Sequence, residues 1–337
     1  MSEPNFTKLT DLVAERLGGK VLYATDDFFA EKENLIKPGR GIFIPDKYTD
    51  RGKWMDGWES RRKRTPGHDW CIVQLAVPGK IKGLDIDTNH FLGNHPPFAS
   101  VEAFYFEDLK VSFFEKMTPL DIAWKEILPK SPLSPGSQHF FEINSEKTWT
   151  HLKLNIYPDG GVARFRAYGE VKKDFKNGET IDLAAAINGG KALRCNDMFF
   201  SRMDNLIMPG RGLNMGDGWE TKRNRTPNNR DWVILKLAAA GTIKKILVDT
   251  CHFKGNFPDR CSLEGCFVEA PGLLDFKDAK NTKTEWTEIL PQQKLQAHCE
   301  HFFEKEIENH GLFTHIRFNI FPDGGVSRLR LFGTVAQ

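Results

Sequence analysis

Short apolar runs, alternating with polar residues and bounded by Pro, Gly, Asn and Asp, recur along the chain. CIVQLAV (71–77), IKGLDID (81–87), VEAFYFE (101–107), HLKLNIY (151–157) and GVARFRAYGEV (161–171) each read as a β-strand. In the PDGG segment (158–161) Pro fixes one dihedral and Gly permits positive φ, which predicts a tight turn and a hairpin between its flanking strands. DLVAER (11–16), followed by leucine and then Gly-Gly, reads as a short helix. Nothing of helical length separates the strands, so a βαβ arrangement is excluded and an antiparallel sandwich is expected.

The pattern occurs twice. LTDLVAERLGGK (9–20) corresponds to TIDLAAAINGGK (180–191), and NLIKPGRG (34–41) to NLIMPGRG (205–212), each displaced by 171. DGWESRRKRTP (56–66) corresponds to DGWETKRNRTP (217–227), displaced by 161, because IFIPDKYTDRGKWM in the first copy stands where the second has LNMG. DTNHFLGN (87–94) returns as DTCHFKGN (249–256), and THLKLNIYPDGGVARFRAYG (150–169) as THIRFNIFPDGGVSRLRLFG (314–333). One fold has been duplicated, with repeats at about 8–170 and 179–337 joined by EVKKDFKNG. Domains 1–170 and 171–337 follow. The fold expected is all-β, two tandem jelly-roll β-sandwiches, with the largest difference between copies at 42–55.

Composition narrows the partners. Lys plus Arg (47) nearly balances Asp plus Glu (45) over 337 residues, which leaves no strong field for nucleic acid or an anionic membrane. No apolar run reaches membrane-spanning length, and the start of the chain lacks a secretory pattern, so a cytoplasmic protein is expected. The VAQ ending is not the SKL-type peroxisomal address, although other import routes stay open. None of the six cysteines recurs between copies, which argues against a thiolate metal site or disulfide framework common to both repeats.

Three histidine pairs do recur: His90 with His252, His139 with His301, and His151 with His315. The last two pairs flank or open strands and read as packed imidazoles. His90 and His252 lie in a turn after a strand, where loops of a sandwich converge on a ligand. Asp87, Asn94 and Glu102, with their counterparts Asp249, Asn256 and Glu264, add carboxylates and amides for proton transfer or for a divalent metal held by His and carboxylate oxygen. A second polar group follows each DGW: Glu59, Arg62 and Arg64, then Glu220, Arg223 and Arg225. The planar arginine fork suits a carboxylate ligand. Arg164 and Arg166, with Arg328 and Arg330, are two apart on a strand and share a face, a placement that suggests a ligand or an interface. Arg40 and Arg211 recur in the two PGRG segments.

In their repeated order, GRG, DGWE, RxRTP, DW, IDTxHFxGN and NIxPDGGVxRxR resemble the allantoicase family over nearly the whole chain. The resemblance implies jelly rolls of the galactose-binding-like class, hydrolysis of allantoate to ureidoglycolate and urea in purine degradation, and homo-oligomeric assembly. The alternative is a non-catalytic carbohydrate-binding tandem sandwich, with Trp58, Trp70, Trp219 and Trp232 as stacking platforms.

Overall fold

The computed structural model describes residues 3–107, 122–269 and 285–336. The chain divides into two compact units, Met1–Lys172 and Lys173–Gln337. Each is a β-sandwich built on the same plan, and no helix among the described residues is long and apolar enough to cross a membrane.

The first unit is organised by one strand of 19 residues, Asp69–Asp87, into which the two predicted strands at 71–77 and 81–87 merge. Its first part pairs with Lys20–Ala24 on one side and Trp149–Tyr157 on the other. Beyond Trp149–Tyr157 lie Phe98–Phe104 and then Lys125–Pro132. Its second part pairs with Gln138–Glu142 and with Arg164–Val171, which is in turn flanked by Thr10–Asp11. The strand thus passes from one layer of the sandwich into the other. A register shift opposite Tyr168 and Gly169 accompanies the passage. Before it the core-facing residues are Cys71, Val73, Leu75, Val77 and Ile81; after it they are Leu84 and Ile86, so an odd series becomes an even one. In the second unit Asp231–Asp249 does the same, joining Lys191–Cys195 and Phe313–Phe321 to Glu300–Phe303 and Arg328–Val335.

Two expectations are corrected. The strands flanking PDGG do not form a hairpin with each other, because each finds its partner on a different half of Asp69–Asp87. Gly161–Val162 instead pairs with Trp58–Glu59. The expected helix at 11–16 is a 3-10 turn, Glu15–Leu17, because Thr10 and Asp11 are already committed to a strand. The residues peculiar to the first copy carry a small pairing of Tyr48–Thr49 with Gly52–Lys53, whereas the second has the single turn Met215–Asp217.

One buried acid distinguishes the first core. Asp85 is 3 % exposed; its Oδ2 accepts from Gln138 Nε2 at 2.8 Å, and its Oδ1 has no partner among the described residues. Burial pushes its carboxyl up to about 7, with Asp87 adding to the rise and the Gln138 bond, Arg166 and Arg40 opposing it. From the ordinary carboxylate range to about pH 7, the folded chain holds a proton that the unfolded chain has released, so Asp85 lowers stability as pH rises through that window. Asp85→Asn is expected to remove this slope. The stability difference between variant and parent should grow by ~2–4 kcal/mol in the variant's favour between about pH 4 and pH 8, measured by urea unfolding; a constant difference would refute the assignment.

Candidate functional site

The strand Asp69–Asp87 ends at the repeated loop. Asp87 is almost fully buried, yet both its oxygens are taken: Arg40 Nε donates to Oδ2 at 2.8 Å, Arg40 Nη2 to Oδ1 at 2.9 Å, and the backbone N–H of Asn89 to Oδ1 at 2.9 Å. This is a charge-assisted bidentate pair whose arginine remains half exposed. Thr88 Oγ1 donates to the carbonyls of Ser134 and Ser137 at 2.7 and 3.1 Å, tying the loop to its neighbour. Phe91 turns inward among Ala30, Met55 and Ala163. Asn94 returns to the surface, where its carbonyl accepts from Gly161 N–H at 2.7 Å and its Nδ2 donates to Glu59 Oε1 at 2.7 Å.

The face of arginines expected to serve a ligand or an interface makes many contacts within its own repeat. Arg164 is 4 % exposed and donates to the carbonyls of Asp56 and Ala163 at 3.1 and 2.7 Å and to Asp56 Oδ2 at 2.8 Å. Arg166 Nη2 donates to the carbonyls of Lys37 and Gly39. Arg328 and Arg330 repeat this with Asp217, Ser327, Gly210 and Met208. These guanidiniums tie the GRG segment and Asp56 or Asp217 to the strand, so Arg164 and Arg328, expected to bind substrate, are engaged by groups of their own repeat. A strand's same-face rule gives direction but not what the neighbouring loop offers.

The second repeat matches this frame: Arg211 Nε donates to Asp249 Oδ2 at 3.0 Å, Cys251 N–H to Asp249 Oδ1 at 2.8 Å, and Asn256 Nδ2 to Glu220 Oε1 at 2.5 Å. The histidines differ. Both are held in the left-handed region, at φ 67 for His90 and φ 71 for His252, where a side chain is strained. His90 is exposed and stacks on Phe43, with ring centroids 5.5 Å apart. Phe43 belongs to the segment that only the first copy has. His252 is partly buried, its Nε2 lies 2.9 Å from the Gly212 carbonyl, and its N–H donates to His298 Nδ1 at 2.8 Å.

Glu59 is partly buried and has no ion-pair partner among the described residues; burial pushes its carboxyl above the ordinary range, with the Asn94 bond pulling it back. Arg62, Arg64, Arg223 and Arg225 are exposed and make no hydrogen bond or ion pair among the described residues. The structure therefore joins Asn94 to Glu59 and Asn256 to Glu220, and places Asp87 with His90 and Asp249 with His252 in the same repeated loops, while Arg62 and Arg64, and Arg223 and Arg225, are related to Glu59 and Glu220 by their nearness in the chain.

Glu102 and Glu264 fall elsewhere, on a strand face. Glu102 Oε2 accepts from Lys153 Nζ at 3.0 Å and from Asn155 Nδ2 at 3.1 Å, and Asn155 also bonds Ser100 Oγ at 3.2 Å. Glu264 accepts from both Arg317 Nε and Nη2, at 2.6 and 2.7 Å, and from Asn319 at 2.8 Å. These partners outweigh burial and hold it below the ordinary carboxylate range. Ser100, Asn155 and Lys153, with Ser262, Asn319 and Arg317, were missed; their recurrence beside each other on paired strands was the available signal. Asp56, Asp217, Phe43 and His298 were also missed.

Trp58 and Trp219 are fully buried, and their indoles donate to the carbonyls of Asp26 and Asp197, each at 2.8 Å, so neither offers a sugar-stacking face. His139 and His301 are packed as expected, each bonding a strand carbonyl and a loop N–H. All six cysteines are free. Cys261 and Cys266, five apart on the strand Arg260–Cys266, face opposite sides of it. Among the described residues, a group able to hold a metal is Cys251, His252 and His298.

Comparison with known proteins now bears on this geometry. The allantoicase repeat model matches residues 10–172 and 181–336. A probable allantoicase of Pseudomonas fluorescens is 50% identical over 336 residues, 98% of each chain, and one of Photobacterium profundum is 48% identical over 332 residues, covering 98% of this chain and 97% of its own. The crystal structure of allantoicase from Saccharomyces cerevisiae superposes with a TM-score of 0.81 at 39% identity, covering 97% of this chain and 93% of the yeast chain.

The loop's position depends on Phe91. A Cβ on Gly161 would lie 2.0 Å from its ring, so Gly161→Ala is expected to destabilise the protein by ~1–3 kcal/mol. Adding Phe91→Leu should recover part of the loss, as read by urea unfolding. A neutral single variant, or a double variant with no recovery, would refute this packing account.

Proposed function

We propose, from the premise that the chain belongs to the allantoicase family, that the first repeat's rim is where allantoate is hydrolysed to ureidoglycolate and urea. Allantoate bears a carboxylate and two ureido groups on one carbon. Release of intact urea requires cleavage of the bond between that carbon and a ureido nitrogen. The leaving nitrogen must take a proton, and the carbon must take the oxygen of water.

The observation that carries the assignment is Glu59: a carboxyl raised by burial, with no ion-pair partner among the described residues, hydrogen-bonded to exposed Asn94. A carboxyl that keeps its proton nearer neutrality is suited to general-acid work. Glu59 gives its proton to the leaving nitrogen, which departs with the electron pair of the carbon–nitrogen bond. The lone pair of the remaining ureido nitrogen assists, leaving a C=N bond. Water adds to the carbon while His90, whose exposed imidazole lies on Phe43, receives its proton. Arg62 and Arg64, exposed and unpaired a few residues beyond Glu59, take the substrate carboxylate by paired N–H donation. Arg40 is already bound by Asp87, which balances its charge, and its half-exposed guanidinium is left as a hydrogen-bond donor rather than as a free charge. Asn94 orients Glu59 and offers its amide to a ureido group. The burial of Trp58 and Trp219 disfavours the carbohydrate-binding alternative.

Glu59→Gln keeps a partner for Asn94 but has no proton to transfer, so kcat measured by urea release should fall by about 100-fold to 10,000-fold. In the parent, kcat/KM should decline as pH rises through the raised Glu59 pKa, because only the protonated acid donates. That alkaline limb should vanish in the variant's residual activity. The loss on His90→Ala should exceed that on His252→Ala, whose imidazole is engaged by Gly212 and His298. Full activity in Glu59→Gln, with circular dichroism unchanged, would sink the assignment.

A further inference from the structure

The second repeat holds a set of donor groups that the first does not. Cys251, His252 and His298 bring ligand atoms within 4.8 Å of one another, whereas their counterparts at the displacement of 162 are Asn89, His90 and Gly136. The backbone supplies an independent sign that these side chains are wanted. Gly136 has φ 62, a conformation natural to glycine; the second repeat keeps that conformation, φ 52, but places histidine there. With His252 at φ 71, two side chains of the cluster are held in a strained region.

Hydrogen bonding prepares both rings. His252 Nε2 faces the Gly212 carbonyl at 2.9 Å, an arrangement that requires Nε2 to carry the proton and leaves the Nδ1 lone pair free. A carbonyl holding the far nitrogen of a histidine is a common support for a metal ligand. His298 Nδ1 accepts the His252 N–H at 2.8 Å and is therefore unprotonated and turned toward the cluster. Cys251 is 4 % exposed, and His298 is open to solvent.

We propose that this is a metal site peculiar to the second repeat, binding a borderline-soft divalent ion of the zinc and cobalt class through one thiolate and two imidazoles. Soft sulfur and imidazole nitrogen select such ions over magnesium or calcium, and three protein ligands leave a position open on the side of exposed His298. Binding displaces the Cys251 thiol proton to solvent and exchanges the His252 N–H contact of His298 for the ion. Asp249, the nearby carboxylate, is held by Arg211 and the Cys251 N–H, so the ligand set proposed is thiolate and imidazole rather than histidine with carboxylate oxygen.

The purified full-length chain, stripped with a chelator and titrated with Co2+ alone, is expected to take up one equivalent and to develop a thiolate-to-cobalt charge-transfer band that added Zn2+ removes. Cys251→Ser should abolish the band. His298→Gly restores the first repeat's residue at a left-handed position, so it should fold at least as well, and it should weaken binding at least about 10-fold. Absence of stoichiometric uptake, a band that survives Cys251→Ser, or unchanged affinity in His298→Gly would each overturn the proposal.

Discussion

A strand shared by two layers is the constraint on which the rest of each repeat depends. Asp69–Asp87 hydrogen-bonds four other strands, two along each half, so its register is set from both layers. Its last residue is Asp87, whose position is therefore as fixed as the core itself. Arg40 reaches that carboxylate from an irregular segment, and Arg164 and Arg166 hold the segment down through its carbonyls and Asp56. Order passes outward from the core strand to the buried carboxylate, then to the arginine and the loop. The half-exposed Arg40 is an outward-facing consequence of a buried register.

Much of this could be read from the chain. The alternation of apolar residues located the strands, and displaced copies located the repeats, because burial in a sandwich imposes a period of two on both copies alike. The DTxHFxGN loop was legible because turn residues stood at the end of an apolar run. Four things were not. VPGK, between the two predicted runs, looks like a break, yet the chain continues through it because each half has partners in a different layer. PDGG has the chemistry of a hairpin turn but connects strands that pair elsewhere. Arg164 and Arg166 looked free because most of the groups they bind, Asp56 and the carbonyls of Lys37 and Gly39, belong to residues more than a hundred positions away. Glu102 likewise seemed near His90 by number, whereas pairing places it opposite Lys153.

Duplication has preserved the frame and released the rim. Arg–Asp pairs, Asn–Glu pairs and the buried Trp recur with nearly the same partners. Against this, the first repeat has Phe43 beside His90, and the second has His298 and Cys251 around His252. The equivalent histidines keep one backbone conformation in two chemical settings. Even the cores have diverged in charge: Asp85 in the first repeat corresponds to Leu247 in the second.

Phe91, in the middle of the repeated loop, is fully buried, and so is Phe253 in its counterpart; each ring closes against two glycines, Gly57 with Gly161 and Gly218 with Gly325. Each loop is thus moored by an apolar stake rather than by the polar side chains beside it. Dispersion and water exclusion hold the stake, and neither depends on which polar groups stand at its flanks. Anchorage and chemistry are consequently separable within eight residues. The neighbouring positions can be exchanged, Asn89 and Leu92 in one copy for Cys251 and Lys254 in the other, while the backbone that presents them stays where it is.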